Sequence, residues 1–469
     1  MRSNEKKREQ MSMVFMNKKM ALFLACLVVL SVAAWAKEPP VSANPEAERL
    51  FRQGTENTVK GRLEEAEHDL TQAAILDPTN GRIHWELGWV FWKKQDWAQV
   101  VAHWEKTRAL SPQQKDLDKY DRLARQYLAM EKESGTKAAV PPPPLEGSAD
   151  ALTFVVAGDL MMGSDFPNQS LMPMRDGAQL FDGVRGLLAG DVVFANLEGP
   201  LTKHPASYKC GGGSHCFAFR TPPRYVSRLK DAGFTVVNLA NNHHLDFGYE
   251  GSEETVRVLD DAGVAAFGQT GRPSRVVVVK GVRVGFVGAA TSPCCLHMNQ
   301  MEKLETLVRQ LREQADLVVV SFHGGAEGLD AAHVPAGPEK YHGEDRGDAR
   351  RFAHRAIDAG ADLVLGTGPH TVRGMERYKG RLIVYSLGNF MGYGRLSVTG
   401  HLSYSYLLRF SLNRSGEVSQ LRVIPLKLDP MAVPAFDPHH RVVGLLNRLG
   451  REDFGEQAVQ FLPDGSAER

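Results

Sequence analysis

Five short polar clusters each follow directly on a hydrophobic run: Gly158-Asp159, Asn196-Leu197-Glu198, the stretch from Asn241 to Asp246, the stretch from His323 to Glu327, and Gly368-Pro369-His370. Carboxylates, amides and imidazoles in this combination form the ligand set of metal-assisted hydrolysis, in which a divalent cation polarises a substrate and activates water. The hydrophobic runs read as buried strands, so the clusters stand at strand ends. In an open α/β sheet the ligand crevice lies beyond those ends, where loops from several strands converge.

Each cluster has its own chemical reading. Gly158 supplies a turn that presents the Asp159 carboxylate at a strand tip, where a hard cation takes an oxygen ligand. Asn242 and His243 set an amide oxygen beside an imidazole nitrogen, a pair able to hold a metal and to orient a substrate oxyanion. Asp246 suits a carboxylate that fixes a histidine tautomer better than a ligand. His323 and Glu327 flank Gly324-Gly325, where the backbone can approach a ligand closely, and His370 ends the last cluster. A lone histidine of this kind is more often structural, but two at the ends of different strands of one sheet point to a site. His244 follows His243, and in an extended segment its side chain points the other way.

The elements that must position these groups are legible as periodicity. Residues 154–157, 192–195, 235–240, 282–288, 317–322, 363–365 and 382–385 are short hydrophobic runs rich in β-branched residues and read as strands. Residues 224–232, 252–262, 301–314 and 348–359 read as helices, the second and fourth followed by glycine. This alternation predicts a layered α/β domain over residues 151–428. A later hairpin is expected at 404–412 and 420–425, and a C-terminal helical extension over 429–469.

Ahead of that domain, residues 45–134 read as tetratricopeptide-like helical repeats. Two segments of 34 residues superpose Gly54 on Gly88, Leu70 on Trp104 and Pro78 on Pro112. Trp85, Trp89, Trp92 and Trp97 are read as packing between helices. Residues 135–150, with four consecutive prolines from Pro141, have the composition of a semi-rigid linker.

Residues 1–36 read as a signal peptide: Lys18 and Lys19 precede an apolar stretch, and Ala34-Trp35-Ala36 fits the small-x-small rule. The expectation is an exported, periplasmic or extracytoplasmic protein, with an uncleaved membrane anchor as the alternative. Beyond this leader four cysteines remain, and Cys210 and Cys216 flank a glycine-rich loop that a local disulfide would close in an oxidising compartment. With 56 basic against 55 acidic residues there is no net field to recruit nucleic acid. Partners must be chosen by local sites.

Together with Ser386-Leu387-Gly388-Asn389-Phe390, the five clusters resemble the CapA family of poly-γ-glutamate capsule synthesis proteins, whose fold is similar to calcineurin-like metallophosphoesterases. The likeness runs over residues 152–428 with the motifs in the expected order. It implies a four-layer αββα metallophosphoesterase-like sandwich, here preceded by the all-α repeats, with a metal centre at the strand ends. It also implies poly-γ-glutamate or a related envelope polymer as the partner. Carried over by position, Asp159, Glu198, Asn242, His243, His323 and His370 are the expected ligands of a divalent cation, with Glu198 at the place of a bridging acid and Asn196 beside it.

The departures from the family pattern bear on that cation. Phosphoesterases place a histidine two residues after the first aspartate, and here Met161 stands there. Thr367 and Gly368 stand where a second imidazole of the last motif is common. A one-metal or weakly bound site is expected rather than a two-metal one. On this reading Asn242 and His323 stabilise a developing oxyanion, while Glu327 or Asp246 orients a histidine acting as general acid. The alternative is a non-catalytic assembly protein that binds polymer and docks a membrane partner through the helical repeats.

Overall fold

The computed structural model describes residues 42–60, 62–94, 96–115, part of 117–128, 151–167, 171–207, 209, 217–293 and 295–468. They fall into two units, divided after Ala129. The leader at 1–36, the linker at 135–150, and Cys210, Cys216 and Cys294 lie outside the described residues.

The first unit contains helices α1 (Pro45–Lys60), α2 (Leu63–Leu76), α3 (Gly81–Lys94) and α4 (Trp97–Leu110), which pair as two helical hairpins. A Cβ on Gly54 would lie 2.6 Å from Leu70 Cγ, and one on Gly88 only 2.0 Å from Trp104 Nε1. The residues that superpose in the sequence are therefore one contact made twice, the closest approach of each hairpin's two helices. Trp85 and Trp104 stack with centroids 5.1 Å apart, and Trp104 Nε1 donates to Trp85 O at 3.2 Å. With Val100, Leu117 and Ala124 they form a core, so these indoles are packing groups.

One histidine pair in this unit, buried His84 and half-buried His103, is expected to make it sensitive to acid. His84 Nδ1 lies 3.1 Å from His103 Nδ1. Burial pushes both imidazoles down, His103 to about 4, and nearby Lys106 adds to the effect. A histidine depressed in the fold contributes stability that is present above its unfolded pKa of about 6.5 and lost as pH falls toward the folded value. Five of the six tryptophans lie in α3 and α4 and none follows residue 104, so indole emission from the described residues reports this unit alone. The expected result is a red shift in the emission of the intact protein between about pH 6.5 and 4, reduced in a His103→Gln variant. Emission that stays unchanged over that interval would refute it.

The strands of the second unit, in chain order, are β1 (Ala151–Met161), β2 (Val192–Leu197), β3 (Val236–Asn238), β4 (Ala265–Phe267), β5 (Ser274–Val279), β6 (Val282–Ala290), β7 (Leu296–His297), β8 (Leu317–His323), β9 (Lys340–Tyr341), β10 (Glu344–Asp345), β11 (Leu363–Thr367), β12 (Met375–Tyr378), β13 (Arg381–Val384), β14 (Asn389–Gly392), β15 (Tyr404–Asn413), β16 (Val418–Leu428) and β17 (Pro434–Phe436). One sheet has the order β17-β16-β15-β1-β2-β3-β4, with β14 beside β1. The other has the order β12-β13-β11-β8-β6-β5, with β7 beside β6.

Alternation along each strand separates three cores. Phe154, Val156 and Phe194 of the first sheet meet Val284, Val319 and Leu363 of the second. On the outer face of the first sheet, Val155, Val193 and Val237 pack on Leu229 of α5 (Val226–Ala232) and Leu259 of α6 (Gly248–Ala262). On the outer face of the second, Val318, Val320 and Val364 pack on Leu304 of α7 (Met301–Gln314) and Phe352 of α8 (Ala349–Asp358). The result is a four-layer αββα sandwich. Central strands covered on both faces explain why the sequence shows continuous hydrophobic runs.

Residues 429–469 belong to this same unit. Strand β17 extends the first sheet, and α9 (Arg441–Phe454) inserts Val442, Leu446 and Leu449 into the core between the sheets. Strand β1 runs on past Asp159, because its register slips on both sides of that residue. Gly158 sits in the slip, where a Cβ would meet Gly388 O at 1.9 Å. Among the described residues no helix is long and apolar enough to cross a membrane.

Candidate metal centre

Strand register alone brings the first polar groups into a row. Asp159 of β1 pairs with Asn196 of β2 on one side and with Asn389 of β14 on the other, and Asn196 pairs with Asn238 of β3. In the second sheet His323 of β8 is level with Thr367 of β11. The two rows meet where Asn196 Nδ2 lies 3.2 Å from His323 Nδ1.

Asp159 is fully buried and its oxygens are engaged. Oδ1 accepts from Asn196 Nδ2 at 2.8 Å and lies 3.5 Å from His323 Nδ1. Oδ2 accepts from the Gly368 amide at 3.3 Å and lies 3.3 Å from His370 Nδ1. Burial by itself would raise its pKa, but the hydrogen bonds from His323 and His370 win and hold Asp159 well below the usual carboxylate range. Asn196 is oriented in turn, because its Oδ1 accepts from Asn238 Nδ2 at 3.0 Å and Asn241 Nδ2 at 3.2 Å.

Glu198 is the opposite case. It is also fully buried, yet among the described residues neither of its oxygens has a hydrogen-bond partner. Its Oε1 lies 3.5 Å from His370 Nε2, 3.9 Å from His323 Nε2 and 4.0 Å from His243 Nε2. Three imidazoles thus face one carboxylate at distances beyond hydrogen bonding. Burial, with Asp159 and Glu327 adding, pushes Glu198 up to about 8 against the pull of His370. His370 responds in the other sense: burial lowers it, but Glu198, Asp159 and Glu327 together push it up to about 10. A cluster this short of positive charge takes up protons where a cation would serve.

The remaining expected residues take distinct places around this centre. His243 Nδ1 lies 2.7 Å from Asp246 Oδ2, which also accepts from the Phe219 amide at 2.7 Å. The Phe219 ring stacks on the imidazole with centroids 4.0 Å apart. Asn242 Oδ1 is buried without a partner and lines the cleft. Glu327 pairs through Oε1 with Arg346 at 2.8 Å and turns Oε2 to within 4.0 Å of His370 Nε2. His370 is fixed by Asn389 Oδ1, 2.8 Å from its Nδ1. His244 is not brought into the cluster: its Nε2 lies 2.8 Å from Ser252 Oγ on α6, and burial pushes it down to about 4.

The departures seen in the sequence have physical counterparts here. Thr367, standing where a second imidazole is common, sets its Oγ1 3.1 Å from His323 Nδ1. Met161 turns its sulfur to the Gly163 amide at 3.1 Å. Several contributors carried no sequence signal: Lys209, whose Nζ lies 3.1 Å from Asp246 Oδ1 and 3.0 Å from Asn242 O, and Arg346 and Asn238. Asn389 stood inside a recognised motif without an assigned role.

Whether these residues fit a cation is answered by the orphaned atoms. Both Glu198 oxygens, His323 Nε2 and Asn242 Oδ1 are buried and unpartnered among the described residues. An unpaired buried carboxylate costs several kcal/mol, on the order of the loss from breaking a buried ion pair. One ligand atom each from Asp159, Glu198 and His370 lie within 4.8 Å of one another. Carboxylate, amide and imidazole together suit a divalent transition metal or zinc.

Residues 153–393, just over half of the chain, match the family model described as bacterial capsule synthesis protein PGA_cap. The capsule biosynthesis protein CapA of Bacillus anthracis is 29% identical over 308 residues, covering 60% of this chain and 68% of that protein. The PGA biosynthesis protein CapA of Bacillus subtilis (strain 168) is 29% identical over 263 residues, covering 52% of this chain and 64% of that protein. Among solved structures, a purple acid phosphatase from yellow lupin seeds aligns over 60% of this chain and 54% of that one, at 12% identity with a TM-score of 0.27, a likeness too low to carry an argument.

Proposed function

The chain belongs to the PGA_cap family of bacterial capsule synthesis proteins, and from that premise we propose that it is an exported, metal-dependent hydrolase or transferase acting on amide bonds of poly-γ-glutamate or a related envelope polymer. The observation that carries this reading is the unpartnered Glu198 carboxylate facing three imidazoles beside an open cleft. Buried polar groups in folded proteins are nearly always hydrogen-bonded, so a buried carboxylate to which no group donates supports the reading of a ligand site.

Asp159, Glu198, His323, His370 and Asn242 would hold the cation. When bound, it supplies Lewis acidity toward a substrate oxygen and lowers the pKa of a neighbouring water. The chain's own groups do the rest. His243, with Nδ1 committed to Asp246, keeps Nε2 for moving a proton to or from the reacting group. Phe219 stacks on its ring and limits the imidazole's freedom. Glu327, itself held by Arg346, sets a carboxylate oxygen 4.0 Å from His370 Nε2 and adds negative charge on the cleft side.

The test is the metal content of the purified chain from residue 37 onward, with release of new chain ends from poly-γ-glutamate measured beside hydrolysis of a generic phosphodiester. Stoichiometric metal is expected, lost in His323→Ala. His243→Ala is expected to keep most of it and to lose turnover roughly 100-fold or more, as for removal of a general acid or base. A protein that takes up no divalent metal would sink this reading. The second reading, a non-catalytic polymer-binding protein that docks a membrane partner through its helical repeats, draws on Met161 and Thr367, which stand where imidazoles would complete a second metal site. It predicts polymer binding without any new chain ends.

A further inference from the structure

The cleft beside the metal centre, about 470 Å3, is also lined by an arginine with which no carboxylate among the described residues pairs. Its charged walls are Lys209, Glu327, Glu344, His370 and Arg395. Lys209 is paired with Asp246, Glu327 with Arg346, and His370 with Asp159. Glu344 is exposed at the rim, where water screens it. Arg395 differs from all of these. Its Nη2 donates to Phe166 O at 2.9 Å, its Nε is buried with no hydrogen-bond partner, and no carboxylate among the described residues pairs with it. Burial draws the guanidinium pKa down with no anion opposing the effect.

The position of Arg395 is fixed by the segment that also serves the metal centre. Asn389, at the start of β14, orients His370. After that strand the backbone turns, with the Arg395 and Leu396 amides donating to Gly392 O at 2.9 and 3.0 Å and the Gly394 amide to Met431 O at 2.9 Å. A partly desolvated guanidinium without a counter-ion is unfavourable until an anion arrives. Its planar fork matches an oxyanion such as a carboxylate or a phosphate.

We propose that Arg395 anchors a side-chain carboxylate of the polymer, seating the chain so that a neighbouring amide bond reaches the metal centre. This rests on the reading of the cleft as a polymer site given above. The residue touches substrate away from the reacting atoms, so it governs which polymer is accepted.

Titration calorimetry on the intact chain equilibrated with Zn²⁺ or Mn²⁺ tests the proposal, with γ-linked triglutamate, its uncharged amidated counterpart and inorganic phosphate as probes. Arg395→Gln is expected to weaken triglutamate binding roughly 10- to 100-fold, as for loss of a charge-assisted hydrogen bond, and to leave the amidated peptide and the metal content unchanged. Arg395→Lys, which keeps the charge, is expected to recover part of the loss. Absence of triglutamate binding to the parent protein, equal binding by parent and Arg395→Gln, or equal weakening of both peptides overturns the proposal. Weakening confined to phosphate overturns the carboxylate assignment in favour of a phosphorylated ligand. Metal content is read on the same samples. A metal-free chain that still prefers triglutamate through Arg395 sinks the catalytic reading and leaves the anchor standing.

Discussion

Replacing Glu198 with glutamine is expected to strip the divalent cation from the protein and, in the metal-free state, to make the fold more stable. The two effects have one cause. Glu198 is fully buried, no hydrogen bond reaches either oxygen among the described residues, and burial with the charges of Asp159 and Glu327 outweighs the pull of His370. The carboxylate therefore burdens the empty fold and belongs to the loaded one. Glutamine fills the same space without charge, and its amide can donate toward His323 Nε2, which has no partner at present. The expected gain in the metal-free protein is about 1–3 kcal/mol, the cost of an unsatisfied buried group. Metal affinity is expected to fall by more than about 100-fold, beyond what loss of a group that merely supports a ligand produces. Denaturant unfolding of chelator-treated samples and elemental analysis of loaded ones give the two readouts. A metal-free E198Q that unfolds more easily than its parent would show that the carboxylate is satisfied without a cation.

Much of this site was readable before the fold, and the reason lies in strand chemistry. Asp159, His323 and His370 each terminate or follow a run of apolar residues that can only be a covered strand, so their convergence followed from sheet topology. The Asp246 contact was readable as well, because Asp246 stands three positions after His243 in a tight turn. What stayed hidden depends on register. Asn196 and Asn389 flank Asp159 although they stand far from it in the chain, and the slip at Gly158 that permits this leaves no periodic trace. Strands β4 and β14, of three and four residues, are too short to show alternation. Lys209, Arg346 and Arg395 lie on irregular segments, where charge is the normal composition and only folding distinguishes a rim residue from a partner. Thr367 looked like a missing ligand; in the fold its hydroxyl faces the ring of His323.

Asp159→Asn is expected to destabilise the protein whether or not metal is present, by an amount on the order of 3 kcal/mol, as for removing one partner of a buried charged network. Asp159 differs from Glu198 in what surrounds its oxygens, not in burial. Asn196 Nδ2 and the Gly368 amide donate to it, and the Nδ1 atoms of His323 and His370 lie 3.5 and 3.3 Å away. An asparagine keeps one acceptor and sets an NH2 group against donors at the other position, so at least one buried N–H is left without an acceptor. Because Asp159 ties β1 and β2 of one sheet to β8 and the loop after β11 of the other, the loss falls on the junction of the two sheets. Calorimetric melting of Asp159→Asn and Glu198→Gln side by side, both stripped of metal, is the measurement: the first is expected below the parent protein and the second above it. Equal shifts in the same direction would mean that the two carboxylates share one role, and the division between an acid satisfied within the fold and one that waits for a cation would fall.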